Sequence, residues 1–379
     1  MGITLEARNY RGLRHVKWSP SGVCALVGPN GSGKTTLLSL FELLRNAYQR
    51  GMPEALSHMG GATTLRHFGA KEDEPIVVGL SVGDLTWSVE LAVRGGALEV
   101  WSGERVTNRT HTLLSRVTGS EKVALDNVGF TGFDARDPRL AVRFGYDQGR
   151  TELKPLVTAL TAFRVYRHYN LESLRRYGST SGGDVELHPS GENALTVLRN
   201  WHGRREYRPR YEFVIETMRT AFPETFADLD FEQAGQTVSI RLFGPHWGTP
   251  YSVFFASNGW LAALLHLLAV AGAEPGALVA IDEIENALHP WAILKLIEAF
   301  RDWSDEHDLT ICLATHSPVV LREFNQEPEK VFVMEFGQET LPVVLTDLYA
   351  LDWLRQFSLG DLYAYGEIAN QRRESTPAK

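Results

Sequence analysis

One stretch of eight residues, Gly28-Pro29-Asn30-Gly31-Ser32-Gly33-Lys34-Thr35, constrains this chain more than any other. It fits the spacing G-x4-G-K-[ST]. Glycines at these places allow positive φ values, so successive backbone N–H groups can point into one nest. An apolar run, GVCALV, precedes the loop. Leu37, Leu38, Leu40, Phe41, Leu43 and Leu44 follow it at helical spacing. A nest of N–H groups backed by a helix N-terminus is an anion site. The spacing therefore predicts a phosphate-binding loop between a buried strand and a helix over about Gly33–Tyr48. Asn30, Gly31, Ser32, Gly33, Lys34, Thr35 and Thr36 are the expected nucleotide contacts. Lys34 would reach the β- and γ-phosphates, and Thr35 would ligate Mg²⁺.

Three further tracts carry chemistry. Leu278-Val279-Ala280-Ile281-Asp282-Glu283 is an apolar strand that ends in two acids. At the C-terminal edge of a parallel sheet such acids stand where α/β sites form. Asp282 is expected to hold Mg²⁺ through water and Glu283 to polarise the attacking water. Ala314-Thr315-His316-Ser317 again follows an apolar strand, and His316 could donate to a γ-phosphate. Ser257-Asn258-Gly259-Trp260 opens a strongly apolar helix. Ser257 is either an ordinary N-cap or, with the helix N-terminus, a grip on a γ-phosphate held by another subunit.

The pass along the chain gives the layout. ITLEAR, HVKW and GVCALV read as strands. Residues 51–75 read as a loop. PIVVGLSV and LTWSVELAV, joined by Gly83-Asp84, read as a hairpin, with ALEVWS as a third strand. Helices are expected near 151–162, 191–202 and 206–221, with GSTSGGD as a mobile loop between them. QTVSIRL reads as a strand and Trp260–Ala271 as a buried helix. GALVAID, DLTICLATH and KVFVMEF read as buried strands, with the helix PWAILKLIEAFRDW after the first. Near-continuous apolar strands alternating with helices imply a parallel sheet covered on both faces.

Composition closes off other classes. With 44% apolar and 22% charged residues, the chain is neither disordered nor a rod, and no heptads are sustained. The two cysteines, Cys24 and Cys312, lie in apolar runs and read as reduced core residues. The opening residues lack an apolar signal core, and the longest apolar stretch is broken by Gly272, Glu274, Pro275 and Gly276. A cytoplasmic protein without a membrane partner is expected. Formal net charge is −8, yet residues 143–210 carry 12 Lys/Arg against 7 Asp/Glu. Arg164, Arg167, Arg175, Arg176, Arg204, Arg205, Arg208 and Arg210 interleave there with Tyr166, Tyr169, Tyr177, Trp201 and Tyr207. Such a stretch suits a nucleic-acid backbone with base stacking. It equally suits a solvated face or a dock for an acidic protein. DLDFE, at 228–232, reads as a solvated turn.

The order of these tracts resembles the ATP-binding-cassette (ABC) ATPase core. IDEIENALHP followed by LATHSPVVL is similar to the RecF/OLD/SMC-like branch, and NYRG and SLGDLYAYGE resemble small stand-alone bacterial AAA-family ATPases of that branch without a coiled-coil arm. The resemblance implies an α/β P-loop NTPase with a mostly parallel core sheet, an antiparallel β-subdomain and a largely helical inserted lobe. It divides the chain into an N-terminal core part (1–105), an inserted lid lobe (106–235), a C-terminal core part (236–346) and a helical extension with a polar tail (347–379). It implies ATP and Mg²⁺ as cofactors, with Glu283, His316 and Lys34 catalytic. It also implies that the strand after the double acid inserts beside the P-loop strand, which puts Cys24 and Cys312 on neighbouring strands. It places Ser257, Asn258 and Gly259 in a signature motif acting across a homodimer, and Asn286-Ala287-Leu288-His289 in the D-loop. Arg11 matches an arginine that approaches the phosphates in relatives. The signature departs from the LSGGQ pattern, and no Gln occurs between residues 51 and 100 to serve as a Q-loop. The implied function is a nucleotide-driven switch in DNA repair or anti-phage defence, with a separate effector or nuclease. The alternatives are a nucleotide-sensing scaffold with little hydrolysis and the ATP subunit of a transporter. No NKxD tract supports a GTPase.

Overall fold

Strands that are apolar at every position must be covered on both faces, and this chain has several. The structure is a computed structural model that describes residues 2–61, 64–71, 73–94, 97–109, 111–117, 123–125, 128–130, 139–335 and 338–369. It opens with β1 (Ile3–Tyr10), β2 (Leu13–Trp18) and β3 (Val23–Val27), then α1 (Lys34–Arg50) and α2 (Met52–His58). Strands β4 (Ile76–Val82), β5 (Leu85–Arg94), β6 (Ala97–Asn108), β7 (Thr112–Val117), β8 (Val123–Leu125) and β9 (Val128–Phe130) follow. Next come α3 (Ala141–Asp147), α4 (Lys154–Ala162), β10 (Phe163–Tyr166), α5 (Leu171–Tyr177), β11 (Ser179–Thr180), α6 (Ala194–Gly203) and α7 (Arg208–Ala221). Strands β12 (Asp228–Ala234), β13 (Thr237–Phe243) and β14 (Tyr251–Ser252) lead to α8 (Asn258–Ala271). The chain continues through β15 (Leu278–Asp282), α9 (Pro290–His307), β16 (Thr310–Ala314), α10 (Pro318–Arg322), β17 (Val331–Val333) and β18 (Val343–Val344). It ends in three short helices, α11 (Leu345–Leu348), α12 (Leu351–Leu354) and α13 (Leu359–Tyr365).

The central sheet runs β10-β15-β16-β3-β17-β18. Its first five strands are parallel and β18 is antiparallel. Because side chains alternate across a strand, β3 feeds two cores. Val23, Ala25 and Val27 join a cluster with α8 and α9, while Cys24 and Leu26 join a cluster with α1. On that second face Trp18, Phe41 and Phe163 pack in series as tilted ring pairs, with ring centroids 5.6 and 4.9 Å apart. Truncating an aromatic so placed typically costs about 3–5 kcal/mol. Cys24 and Cys312 stand opposite each other in register on β3 and β16, buried, with Sγ atoms 3.6 Å apart. Helix α8 buries nearly its whole circumference, as its composition requires.

An antiparallel sheet, β2-β1-β4-β5-β6-β7-β8-β9, packs beside α1. Buried Glu104 of β6 accepts hydrogen bonds from Trp87 Nε1 (3.0 Å) and from the N–H groups of Ala141 (2.7 Å) and Val142 (3.1 Å), so it caps α3. A third sheet joins β11, β13, β12 and β14.

Four expectations change. Residues 51–75 contain α2, which buries Met52, Ala55 and Leu56. The GSTSGGD tract is anchored by β11 pairing with β13. A side chain at Gly178 would lie 2.3 Å from the Val238 carbonyl, so only glycine lets that approach occur. DLDFE is part of β12, held by backbone pairing to β13 with Leu229 turned inward. The 106–235 stretch is not only helical: β10 joins the central sheet alongside β15. Among the described residues no helix is long and apolar enough to cross a membrane.

Candidate functional site

The loop after β3 is shaped by close approach. A Cβ at Gly28 would meet the Met334 carbonyl at 2.5 Å, and one at Gly33 would meet Leu13 Cδ2 at 2.7 Å. Gly33 sits at φ 99° as the cap of α1, whose first turn has no acid and no side-chain cap. The first N–H groups of α1 therefore face the loop without a side-chain acceptor. Lys34 Nζ donates to the carbonyls of Gly28 (2.8 Å) and Pro29 (3.2 Å). Burial depresses its pKa to about 8, against the pull of Asp282, Glu283 and Glu285. Ser32 Oγ is buried without a hydrogen-bond partner. Such an orphaned hydroxyl beside a buried lysine fits a phosphate. Asn30, Gly31 and Thr35 are exposed, and Thr36 is half-buried.

Asp282 closes β15 at the sheet's C-terminal edge and is 8% exposed. Thr35 Oγ1 donates to Asp282 Oδ2 at 2.7 Å, tying the start of α1 to the end of β15. A hydroxyl and a carboxylate so paired are hard oxygen donors of the kind Mg²⁺ takes, with water and phosphate completing the shell. Among the described residues no group of three or more His, Cys, Asp or Glu side chains could hold a metal ion. Glu283 is exposed and holds a left-handed backbone, φ 57°, with its N–H on the Ala314 carbonyl (2.8 Å). A non-glycine residue in that region stores strain, a recurrent feature of functional sites. Its Oε2 accepts from Asn286 Nδ2 at 2.6 Å.

Strand β16 lies between β15 and β3, which brings His316 to the same edge. Its imidazole is half-buried. Burial and then the Lys34 cation lower its pKa, against Glu285, Glu283 and Asp282. Glu285 joins this candidate site, and sequence reasoning missed it. Its carboxylate accepts from Thr315 Oγ1 (2.8 Å) and from the His316 N–H (2.7 Å), clamping the histidine loop. The third acid of IDEIE was the available signal.

Ser257 caps α8, accepting from the Trp260 N–H at 3.1 Å. Arg175 donates to Asn258 Oδ1. Gly259 is a packing glycine: a Cβ there would lie 2.6 Å from the Ala287 carbonyl, so the start of α8 touches the loop holding Asn286. His289 caps α9, with Nδ1 accepting from the Trp291 N–H at 3.2 Å. Arg11 is directed elsewhere: its guanidinium donates to the Met59 carbonyl at 2.7 Å, and its N–H to Leu65.

Much of the basic stretch is neutralised. Arg164 pairs with Glu186 (2.6 Å), Arg167 with Glu42 (2.7 Å), Arg208 with Glu212 (3.0 Å) and Arg210 with Glu274 (3.0 Å). Arg175 and Arg176 both pair with Glu172. Tyr166 and Trp201 are core residues, and the Tyr169 hydroxyl contacts His266 Nδ1 at 3.2 Å. Those three aromatics cannot stack on bases; Tyr177, by contrast, is exposed.

A family model described as "AAA domain, putative AbiEii toxin, Type IV TA system" matches residues 23–322. The chain belongs to this AAA-domain family. It is, at that level, a nucleotide-binding ATPase. No curated protein matches it. Among solved structures it is similar to the Pyrococcus furiosus Smc head domain with an extended coiled coil, bound to the C-terminal domain of ScpA. That match has 13% identity, covers 94% of this chain and 99% of that one, and has a TM-score of 0.49. Another is the SmcHead bound to the C-winged helix domain of ScpA, with 12% identity, 84% and 90% coverage and a TM-score of 0.46. The SMC head domain from Thermotoga maritima matches with 14% identity, 85% and 91% coverage and a TM-score of 0.37.

Proposed function

We propose that this AAA-family chain is an ATP-hydrolysing switch of the ABC type, in the RecF/OLD/SMC-like branch. The observation that carries the proposal is the Thr35–Asp282 hydrogen bond, which joins the glycine loop to the strand end that bears Glu283. In this reading the loop N–H groups of residues 30–36, Ser32 Oγ and Lys34 hold the phosphates. Thr35 and Asp282 would hold Mg²⁺, which when bound offsets phosphate charge. Glu283 takes a proton from the attacking water, and His316 donates to the γ-phosphate. Ser257, Asn258 and Gly259 act across a homodimer, with Asn286 and His289 in the loop between them. The core comprises 1–105 and 236–346, the lid 106–235 and the extension 347–379. Arg11, spent on Met59, gains no support as a phosphate contact.

The toxin–antitoxin wording of the family description favours defence over repair, with a separate effector or nuclease as partner. Nucleic acid would have to use the exposed Arg204 and Arg205, since their neighbours are paired. The test is turnover with Mg-ATP. Glu283→Gln should bind ATP, accumulate as a dimer in sedimentation and hydrolyse ~10²–10⁴-fold more slowly, the usual cost of losing a general base. Turnover equal to the parent chain's would remove Glu283 from the role.

A further inference from the structure

His316 is held from a second side, by the far end of the chain. Helix α13 is seated on α10, the helix that directly follows the histidine loop. Arg322 pairs with Asp361 at 2.8 Å, and Asn325 Oδ1 accepts from the Leu359 N–H at 2.8 Å. Gly360 lies so close to the Pro318 carbonyl that a Cβ would sit 2.2 Å from it. Leu359, Leu362 and Tyr363, at i, i+3 and i+4, share one face. Leu359 and Leu362 are buried there, and the Tyr363 hydroxyl lies 3.2 Å from His316 Nδ1.

A neutral imidazole carries one proton, and its two nitrogens then differ: one donates, the other accepts. If Nδ1 held the proton and gave it to the tyrosine oxygen, Nε2 would be a bare lone pair, useless toward a phosphate. If the tyrosine donates to Nδ1, Nε2 must carry the proton. The second arrangement alone leaves a donor for an anion. We propose that Tyr363 is a positioning residue, whose hydroxyl donates to His316 Nδ1 and so keeps Nε2 protonated toward the γ-phosphate. Burial raises the Tyr363 pKa, with Glu285 adding to it, so the hydroxyl keeps its proton. The groups that bear on the ring are Lys34 of α1, Asp282 at the end of β15, Glu283 and Glu285 just after it, and Tyr363 of α13. Tyr363 lies beyond the residues that the family model matches, so the site extends into the C-terminal helices.

The inference rests on the proposed ATPase reading, and its test separates the two. ¹⁵N NMR of the imidazoles, with His316 identified by its loss in His316→Gln, reads the tautomer without any turnover. The full chain should show His316 as Nε2–H, and Tyr363→Phe should show a mixture of tautomers. In turnover, Tyr363→Phe should lower kcat about three- to tenfold, the size of one neutral hydrogen bond. KM for ATP should stay unchanged, and the double variant Tyr363→Phe/His316→Gln should be no slower than His316→Gln alone. A dominant Nδ1–H tautomer in the parent chain, or a Tyr363→Phe loss that persists in full on the His316→Gln background, would overturn the inference. A chain that never hydrolyses ATP would sink the ATPase reading, while the tautomer measurement would still decide this one.

Discussion

The sheet edge around Lys34 and the helix start at Ser257 are built differently. At the sheet edge every group named is braced within the chain: Lys34 on loop carbonyls, Thr35 on Asp282, Glu285 on Thr315 and His316. Lys34, Asp282 and Thr315 are buried, and the Thr35–Asp282 and Glu285 braces span elements distant in sequence, while the Lys34 brace is local to its loop. The start of α8 is capped by its own Ser257 and steadied by Arg175, but Ser257 and Asn258 remain exposed. Phe254 and Phe255, just before them, are 48% and 73% exposed. A site finished inside one chain can bind nucleotide alone. A self-capped but exposed helix N-terminus beside exposed aromatics fits a surface that could work against another subunit.

The sharpest break of that contrast is Ser257→Arg. If the α8 start acts on a partner's nucleotide, the bulky cation should abolish ATP-dependent dimerisation in sedimentation. Turnover should fall on the order of 10²–10³-fold, as for loss of one oxyanion donor. ATP affinity of the monomer should not change. A parallel loss of affinity would mean that the α8 start serves its own chain's nucleotide.

Lys34→Ala probes the other region. Charge-assisted hydrogen bonds contribute roughly 1.5–3 kcal/mol each, so ATP affinity should weaken at least ~tenfold, read by titration calorimetry. Fold and melting should hold, since the hydrogen bonds of Lys34 go to carbonyls of its own loop. Unchanged affinity would remove the glycine loop from nucleotide binding.

The contrast also explains what could be read from the residues. The glycine loop and the strand-end acids were legible because turn chemistry and apolar strand runs are local signals. Strand β16 beside β3 followed from the family resemblance rather than from the residues alone, and the thiol pair Cys24–Cys312 lies where that order requires. Glu285 was not legible, since its partners lie in another loop and one is a backbone N–H. Strand β12 looked like a turn because its inward residues are few and most of the rest face solvent. Pairing with β13, a long-range event, decides it. The arginine–aromatic alternation of 164–210 left a nucleic-acid surface open beside a solvated face or a protein dock, because sequence cannot show that Glu42, Glu186 and Glu274 come to meet those arginines.

The smallest effect distinguishes the two regions by pH. Lys34 is buried, and that burial brings its pKa to about 8. Only the ammonium form attracts phosphate, and bound phosphate raises the pKa again. Affinity for Mg-ATP is therefore complete below that value and declines above it. With a pKa of about 8, the charged fraction falls about threefold between pH 7.5 and 8.5. Calorimetric affinity should fall by that factor, with proton uptake growing over the same interval. Lys34→Ala should be flat across it, because the titrating group is gone. Ser257→Arg should keep the parent's slope if the α8 start has no part in holding its own chain's nucleotide. A parent chain whose affinity is flat from pH 7.5 to 8.5 would mean that Lys34 is solvated like an ordinary lysine, and the claim that the sheet edge is already built before nucleotide arrives would fail with it.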